Sequence, residues 1–336
     1  MKLKSLTIIS ATLLIAFSYS AQAQNKKDDK GRKQGHWVKT SQAGKKVYEG
    51  NFVDDYPVDT FYYYDKKGRV SLKNIFTNEG KDNYSILYHS NGKMKAEGNY
   101  IDKKKEGKWL YYNEKGKRIT ELFYKQNLKD GQEKVWDDDG KEVIEITTYR
   151  QGKKEGEFFK SLYSSGYYTC TYKNDKLNGT YKEHFPDKKI RVQGEYVDDN
   201  KQGEWLVYTS YGQVVQKLTY KDNFLVKDIL VLHTDKDDIE ISQDEIALLR
   251  PTGKQTQVIK KNSEKMACVQ DFETLLNYVN AEKFYLMDAK SKIYVNISTI
   301  KGINQDGSLR TSVDFGFKII PDKDGLQMVN TLIRKD

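Results

Sequence analysis

KEGKWLYYNEKGKRITELFY, residues 105–124, decides the fold. The stretch opens on Gly107 and Trp109, runs through Tyr111 and Tyr112, turns over Asn113 to Gly116 and returns through Ile119, Leu122 and Phe123 to Tyr124. Two runs rich in aromatic and β-branched residues around a short polar cluster are the pattern of a β-hairpin, with Gly116 where a positive φ is required.

The same hairpin recurs in steps of 23 to 25 residues, opening at Gly35, Asp59, Asp82, Gly107, Gly131, Gly156, Gly179 and Gly203. Two residues on stand Trp37, Phe61, Tyr84, Trp109, Glu133, Phe158, Tyr181 and Trp205, and each unit closes on Phe52, Phe76, Tyr100, Tyr124, Tyr149, Tyr172, Tyr196 or Tyr220. A fixed period of this length means units that lack a core of their own and bury an apolar face against their neighbours. The connections between hairpins are short and polar, as in 53–57, 101–106, 126–130 and 198–202, so consecutive strands must be neighbours in an up-and-down meander. The expectation is a mainly β chain: an elongated antiparallel ribbon of about eight hairpin repeats of about 24 residues over 35–227, preceded by a charged linker (24–34) and followed by a small α+β module at 228–336.

Side chains alternate faces with period two, so Trp109 and Tyr111 share one face and Leu110 and Tyr112 the other. The closing aromatics therefore read as a structural ladder. Tyr64, Tyr88, Tyr112, Trp136 and Tyr208, each four residues before a turn glycine, are candidates for a second, binding ladder. Ordinary cross-strand packing is the plainer account of them.

Lys2 and Lys4 ahead of the apolar run 6–17, with Ala21-Gln22-Ala23 behind it, make 1–23 a secretory signal peptide and predict an exported protein, periplasmic or extracellular, with no membrane-spanning segment in the mature chain. The formal net charge is +9, and because 228–336 holds 15 basic against 17 acidic groups, the excess belongs to the repeats. A basic surface suits anionic partners, although lysines in turns also keep a β repeat soluble. An oxidising compartment would permit a bridge between Cys170 and Cys268, and two buried free thiols are the preferred expectation.

The pattern G-x-W-x-x-Y-x-x-x-G-K followed by E-x-x-Y resembles the MORN-repeat variant of bacterial antitoxin-like repeat proteins. It covers about 31–227 and is clearest in KEGKWLYYNEKGKRITELFY and QGEWLVYTSYGQVVQKLTY; Asp59 and Asp82 replace its glycine in the second and third units, where pairing is expected to be distorted. The resemblance implies an all-β ribbon with a scaffold or membrane-associated role, and brings no catalytic residues.

In the C-terminal part, 228–233 and 239–241 read as strands, and Ser242-x-x-Glu245 as the cap of a short helix stopped by Pro251. Phe272, Leu275, Leu276 and Val279 after Asp271 predict a helix over 271–281, and 292–300, 308–320 and 326–333 read as strands separated by NQDG and PDKDG turns. The histidines His36, His89, His184 and His233 are scattered, no pair has ligand spacing, and neither cysteine has a local base; no metal, cofactor or catalytic residue is assigned. Glu49, Glu97, Glu121 and Glu145 recur at equivalent places, which favours cross-strand pairing with lysines over acid–base work. The expected function is non-enzymatic: an exported scaffold binding a protein or an envelope component. Binding of an envelope lipid headgroup or glycan through exposed aromatics and lysines is the second reading, and a hydrolase site in 228–336 the third. Nucleic acid is not an expected partner of an exported chain.

Overall fold

The computed structural model describes residues 25–333; the signal-peptide reading of 1–23 lies outside them. The protein is mainly β. It divides into two compact units, one running to Arg118 with Tyr124–Asn127, the other comprising Ile119–Phe123 and everything from Leu128 onward.

In the first unit the strands Lys33–Thr40, Lys46–Val53, Tyr56–Tyr64, Val70–Thr77, Asp82–Tyr88, Met94–Ile101 and Lys104–Tyr112 pair in chain order, every pair antiparallel. The second unit continues the meander from Gly131–Trp136 to Phe224–His233 in the same way. Two kinds of turn alternate. At one end of most hairpins a glycine such as Gly68 (φ 78°) or Gly116 (φ 80°) follows a type I turn and forms a bulge; in the seventh hairpin Lys188 (φ 70°) holds that place, and the sixth turns through Tyr163–Ser165 instead. At the other end two residues both take positive φ, as in Asp54-Asp55 (53°, 71°), Asn174-Asp175 (51°, 69°) and Asp222-Asn223 (51°, 68°), which is the turn whose twist matches paired strands.

These polar turns are clamps. Asn127 N donates to Lys105 O (3.0 Å) while its side-chain oxygen accepts from Lys105 N (2.6 Å). Asp175 repeats this on Lys154 (3.0 and 2.8 Å), and Asn223 on Lys201 (3.1 and 2.7 Å). Each Asp or Asn thus ties its turn to backbone about one repeat earlier.

The closing aromatics lie on one face, where they flank the rings of the opening row edge-on. Phe61 meets Phe52 (5.1 Å, 88°) and Phe76 (5.2 Å, 87°), and Trp109 meets Tyr100 (5.1 Å, 85°) and Tyr124 (6.2 Å, 84°). In the second unit Trp205 does so with Tyr196 (5.1 Å, 90°) and Tyr220 (6.0 Å, 74°), Phe158 meets Tyr172 (5.5 Å, 74°), and Lys129 Nζ sits 4.6 Å above Tyr149. Of the aromatics two residues into each unit only Phe61, Trp109, Phe158 and Trp205 are buried, so the packing repeats every second hairpin, at 48, 49 and 47 residues. The alternate places hold half-buried Trp37, buried Ser85, Glu133 and Tyr181.

Three glycines make the seats. A Cβ on Gly50 would stand 2.4 Å from the Phe61 ring, on Gly98 2.4 Å from Trp109, and on Gly194 2.1 Å from Trp205. Backbone without side chain lets the ring lie flat on the neighbouring strand. Gly98→Ala and Gly194→Ala are each expected to lower stability by about 2 kcal/mol through overpacking, measured by urea unfolding. Gly44→Ala, at an open turn with no atom within 4 Å of the new Cβ, separates this steric cost from the cost of a positive φ.

The expected distortion of the second unit is not found: Asp59 takes φ 56°, close to the opening glycines Gly35 (66°) and Gly107 (67°), and pairs with Phe76 as Gly35 pairs with Phe52. The third unit does differ. A three-residue turn, Asn78–Gly80, replaces the two-residue one, and Asn83, not Asp82, pairs with Tyr100. A one-residue slip reverses every side chain. Tyr84 therefore leaves the seam for the opposite face, and Ser85 takes its place, donating to Asn74 Oδ1 at 2.8 Å.

The strand Phe224–His233 ends the meander, pairs with Asp238–Ser242 and carries the chain across residue 227 without a break. Beyond it a five-stranded antiparallel sheet runs in the order Lys265–Cys268, Gln255–Lys260, Ile246–Thr252, Ile293–Asn296, Phe284–Asp288. One face buries Leu249, Val258, Phe272 and Leu275 against Val207, Val215 and Leu230 of the last repeats; the other buries Leu248, Ile259, Met287 and Val295 with Phe315 and Val329.

Several local expectations fail here. Ser242 caps a single 3-10 turn, Gln243–Glu245, and 246–252 is a strand, with Pro251 beyond the stretch paired on both sides. The run 326–333, expected as a strand, lies in the helix Lys323–Ile333, because Asp322 Oδ1 accepts from Gly325 N (2.9 Å) and caps what reads as a turn. Strand structure in 308–320 is confined to Leu309–Thr311. The helix expected over 271–281 starts as predicted, with Asp271 accepting from Thr274 N (3.0 Å), but stops at Leu276 because the Gln243 side chain takes the Tyr278 carbonyl (3.1 Å) and the Asn280 amide (2.8 Å).

Candidate functional site

With the seam on one face, the opposite face of the repeats is where binding chemistry is to be sought. In the first unit it carries Tyr64, Tyr88 and Tyr112 of the candidate ladder, with Tyr84 joining them by the register slip; all are half-buried. Their hydroxyls serve the glutamates of the adjoining strands. Tyr64 donates to Glu49, and Tyr84 and Tyr112 both donate to Glu97, each at 2.6 Å. Glu97 is thus held by tyrosines, with no lysine on it among the described residues, while Glu49 also pairs with Lys46 (2.7 Å). In the second unit Tyr208 Oη accepts from Gln193 Nε2 (2.7 Å), Trp136 is half-buried, and Glu145 pairs with Lys160 at 3.1 Å.

Many lysines of the basic repeats turn to the other face. Lys105 Nζ lies 4.2 Å above Trp109 and 4.8 Å above Tyr124; Lys201 Nζ lies 4.5 Å above Trp205 and 4.8 Å above Tyr220. The stems cover the seam rings and the charges meet their negative faces. Burial there lowers the pKa of Lys201. The repeats' positive charge is therefore in part structural.

Desolvation, with glutamate hydrogen bonds added, pushes Tyr64 and Tyr112 up to about 12; burial does the same to Tyr149 and Tyr172 and raises Tyr84 and Tyr181 further. A tyrosine whose folded pKa exceeds its unfolded value near 10 keeps its full contribution below about pH 10 and loses it as pH rises through the folded value. Stability is expected to fall steeply between about pH 10 and 12, with tyrosinate absorbance appearing together with loss of β circular dichroism. Ionisation of most tyrosines well before unfolding would contradict the packing described.

Cys170 and Cys268 are free and buried, and burial drives both thiols up to about 11, which makes them poor nucleophiles. Among the described residues no three His, Cys, Asp or Glu side chains gather as a metal site. His233 Nδ1 bonds Asp238 (2.5 Å) and Nε2 bonds Val214 O (3.0 Å), a structural use of the ring.

The sequence reading passed over one group on the open face of the second unit. Phe159, Tyr167 and His184 come from three neighbouring strands; Tyr167 lies 5.4 Å from Phe159 and stacks on His184 at 4.4 Å and 11°. The doublets Phe158-Phe159 and Tyr167-Tyr168 hold the signal, since alternation sends one member of each pair to either face.

No family model and no curated protein matches the chain. Among solved structures, the LytTr DNA-binding domain of a response regulator from Bacillus cereus aligns at 17% identity and a TM-score of 0.24, covering 32% of this chain and 94% of that one. A TcdB2-TccC3-TEV structure aligns at 10% identity and a TM-score of 0.17, covering 81% of this chain and 17% of that one. Neither likeness is close enough to carry an argument about fold or function.

Proposed function

We propose that the hairpin repeats form a non-catalytic, exported scaffold that binds a protein or a component of the cell envelope through the face opposite the aromatic seam. The observation that carries this reading is the division of labour between the faces. One is filled by rings seated on glycine and covered by lysine stems, and the other presents half-buried tyrosines, polar groups and a cleft. The export part rests on Lys2, Lys4, the apolar run 6–17 and Ala21-Gln22-Ala23. In-cell crosslinking followed by mass spectrometry tests the reading. One reproducible protein partner, retained at high salt, is the expected result, and capture that disappears at high salt together with binding to anionic vesicles would replace it with a lipid-headgroup reading. Recovery of the chain uncrosslinked and without affinity for either would overturn both.

A further inference from the structure

Above the strands Lys153–Ser161, Tyr167–Lys173 and Gly179–His184 lies an open cleft of about 380 Å³, within the roughly 300–1,000 Å³ of small-molecule sites. Its floor includes Ile146 and Phe159, and Tyr167, itself stacked face to face on His184, supports the Phe159 ring from the side at 5.4 Å. The rim carries Glu157, Lys182 and Gln132, whose side chains have no polar partner among the described residues. Thr171 and Thr180 stand beside them with their hydroxyl protons already given, to Asn178 O (2.5 Å) and Glu195 Oε1 (2.8 Å), so their oxygens remain as acceptors.

We propose that this cleft binds a neutral saccharide. A flat ring beside a rim that both donates and accepts is what a pyranose requires, its C–H face lying on the aromatic plate and its hydroxyls each needing a donor and an acceptor. Lys182 and Gln132 supply donors; Glu157, Gln132 and the two threonine oxygens supply acceptors. A phosphate or sulfate is disfavoured by the Glu157 carboxylate, and an acyl chain would leave that carboxylate and the Lys182 ammonium desolvated without partners. One acid and one base at the rim leave no net charge to complement. The inference rests on the reading of the open face as the binding face and adds the ligand class.

The test is a glycan array of neutral, sialylated and phosphorylated glycans probed with the mature chain at low and at high salt. Retention of neutral glycans at both salts is expected, with Glu157→Gln and Phe159→Ala each weakening it by about tenfold. Glu157 and Gln132 are exposed, so Glu157→Gln and Gln132→Ala decide the matter should Phe159→Ala misfold. Retention of no neutral glycan, retention of acidic glycans alone, or unchanged binding by both rim variants overturns the proposal. If the array is blank while a protein partner is still captured in the cell, the saccharide site falls and the scaffold stands; if both are blank, both fall.

Discussion

Trp109→Ala is expected to lower the unfolding free energy by about 3–5 kcal/mol, the loss associated with a large aromatic removed from a packed interior. The side chain is 1% exposed, lies against Tyr100 and Tyr124, is covered by Lys105 and donates its indole N–H to Asn99 O at 3.1 Å. Beneath it Gly98 offers no side chain that could move into the vacancy, so the cavity stays open and the seam around it loses its contacts. Trp37→Ala provides the comparison. Trp37 occupies the alternate place, is half-buried and faces Gly50 from the other side, and its loss is expected to cost less than half as much. Urea unfolding of the two variants checks the difference, and equal costs would mean that every hairpin contributes alike and that the two-hairpin period has no energetic meaning. Phe at 109 and at 205 gives a finer comparison. Trp205 Nε1 is buried with no hydrogen-bond partner, so Trp205→Phe removes an unsatisfied donor, whereas Trp109→Phe also breaks a bond and is expected to be worse by about 1 kcal/mol.

That two-hairpin period marks the limit of what the sequence made legible. The 24-residue step, the hairpin register and the positive-φ turns follow from glycine and aromatic spacing, because those residue types have few other uses at such intervals. Gly50, Gly98 and Gly194 were as visible as the turn glycines, but a glycine inside a strand does not announce which ring lies on it; that takes the cross-strand register. Tyr84 fell to the wrong face because the three-residue turn at Asn78–Gly80 shifts a strand by one, and composition carries no trace of the shift. The lysines read as solvated or ligand-facing were ambiguous for the same reason: Lys105 and Lys201 lie over rings that only the pairing identifies. In the C-terminal part, 326–333 suits either period, since Leu326, Val329 and Ile333 have helical spacing while Leu326, Met328 and Leu332 alternate as in a strand, and the Asp322 cap settles it. The cleft was hidden more deeply, because Glu157, Lys182 and Gln132 lie on three different strands and nothing in their spacing brings them together.

Gln243→Ala is expected to destabilise the second unit by about 3 kcal/mol or more, although a glutamine in a polar stretch, Ser242-Gln-Asp-Glu245, attracts no attention in the sequence. The side chain is 0% exposed. Its amide nitrogen donates to both Asp228 oxygens (3.0 Å each) and to Tyr278 O (3.1 Å), and its oxygen accepts from Asn280 N (2.8 Å). One side chain thereby closes the end of the helix Phe272–Leu276, fixes a carboxylate on the last strand of the meander and joins the C-terminal sheet to the repeats. Alanine leaves the Asn280 amide without the Gln243 acceptor and the Tyr278 carbonyl with only Gln216 Nε2 at 3.4 Å, and removes a donor from Asp228, where Gln216 Nε2 at 2.8 Å remains. Each buried group left unpaired costs about 1–3 kcal/mol, and the vacated volume adds to that. Gln243→Glu keeps the shape but sets a second carboxylate against Asp228, so at neutral pH it is expected to be at least as damaging as alanine and to recover as the pH falls through the range in which one of the two acids takes up a proton. Thermal unfolding of the three proteins across that range decides between a bonded hub and a side chain that merely fills space. A hub gives an alanine variant that loses more than its vacated volume explains and a glutamate variant whose Tm approaches the parent's as the pH falls; an alanine variant that loses only the cost of the cavity means that the side chain merely fills space.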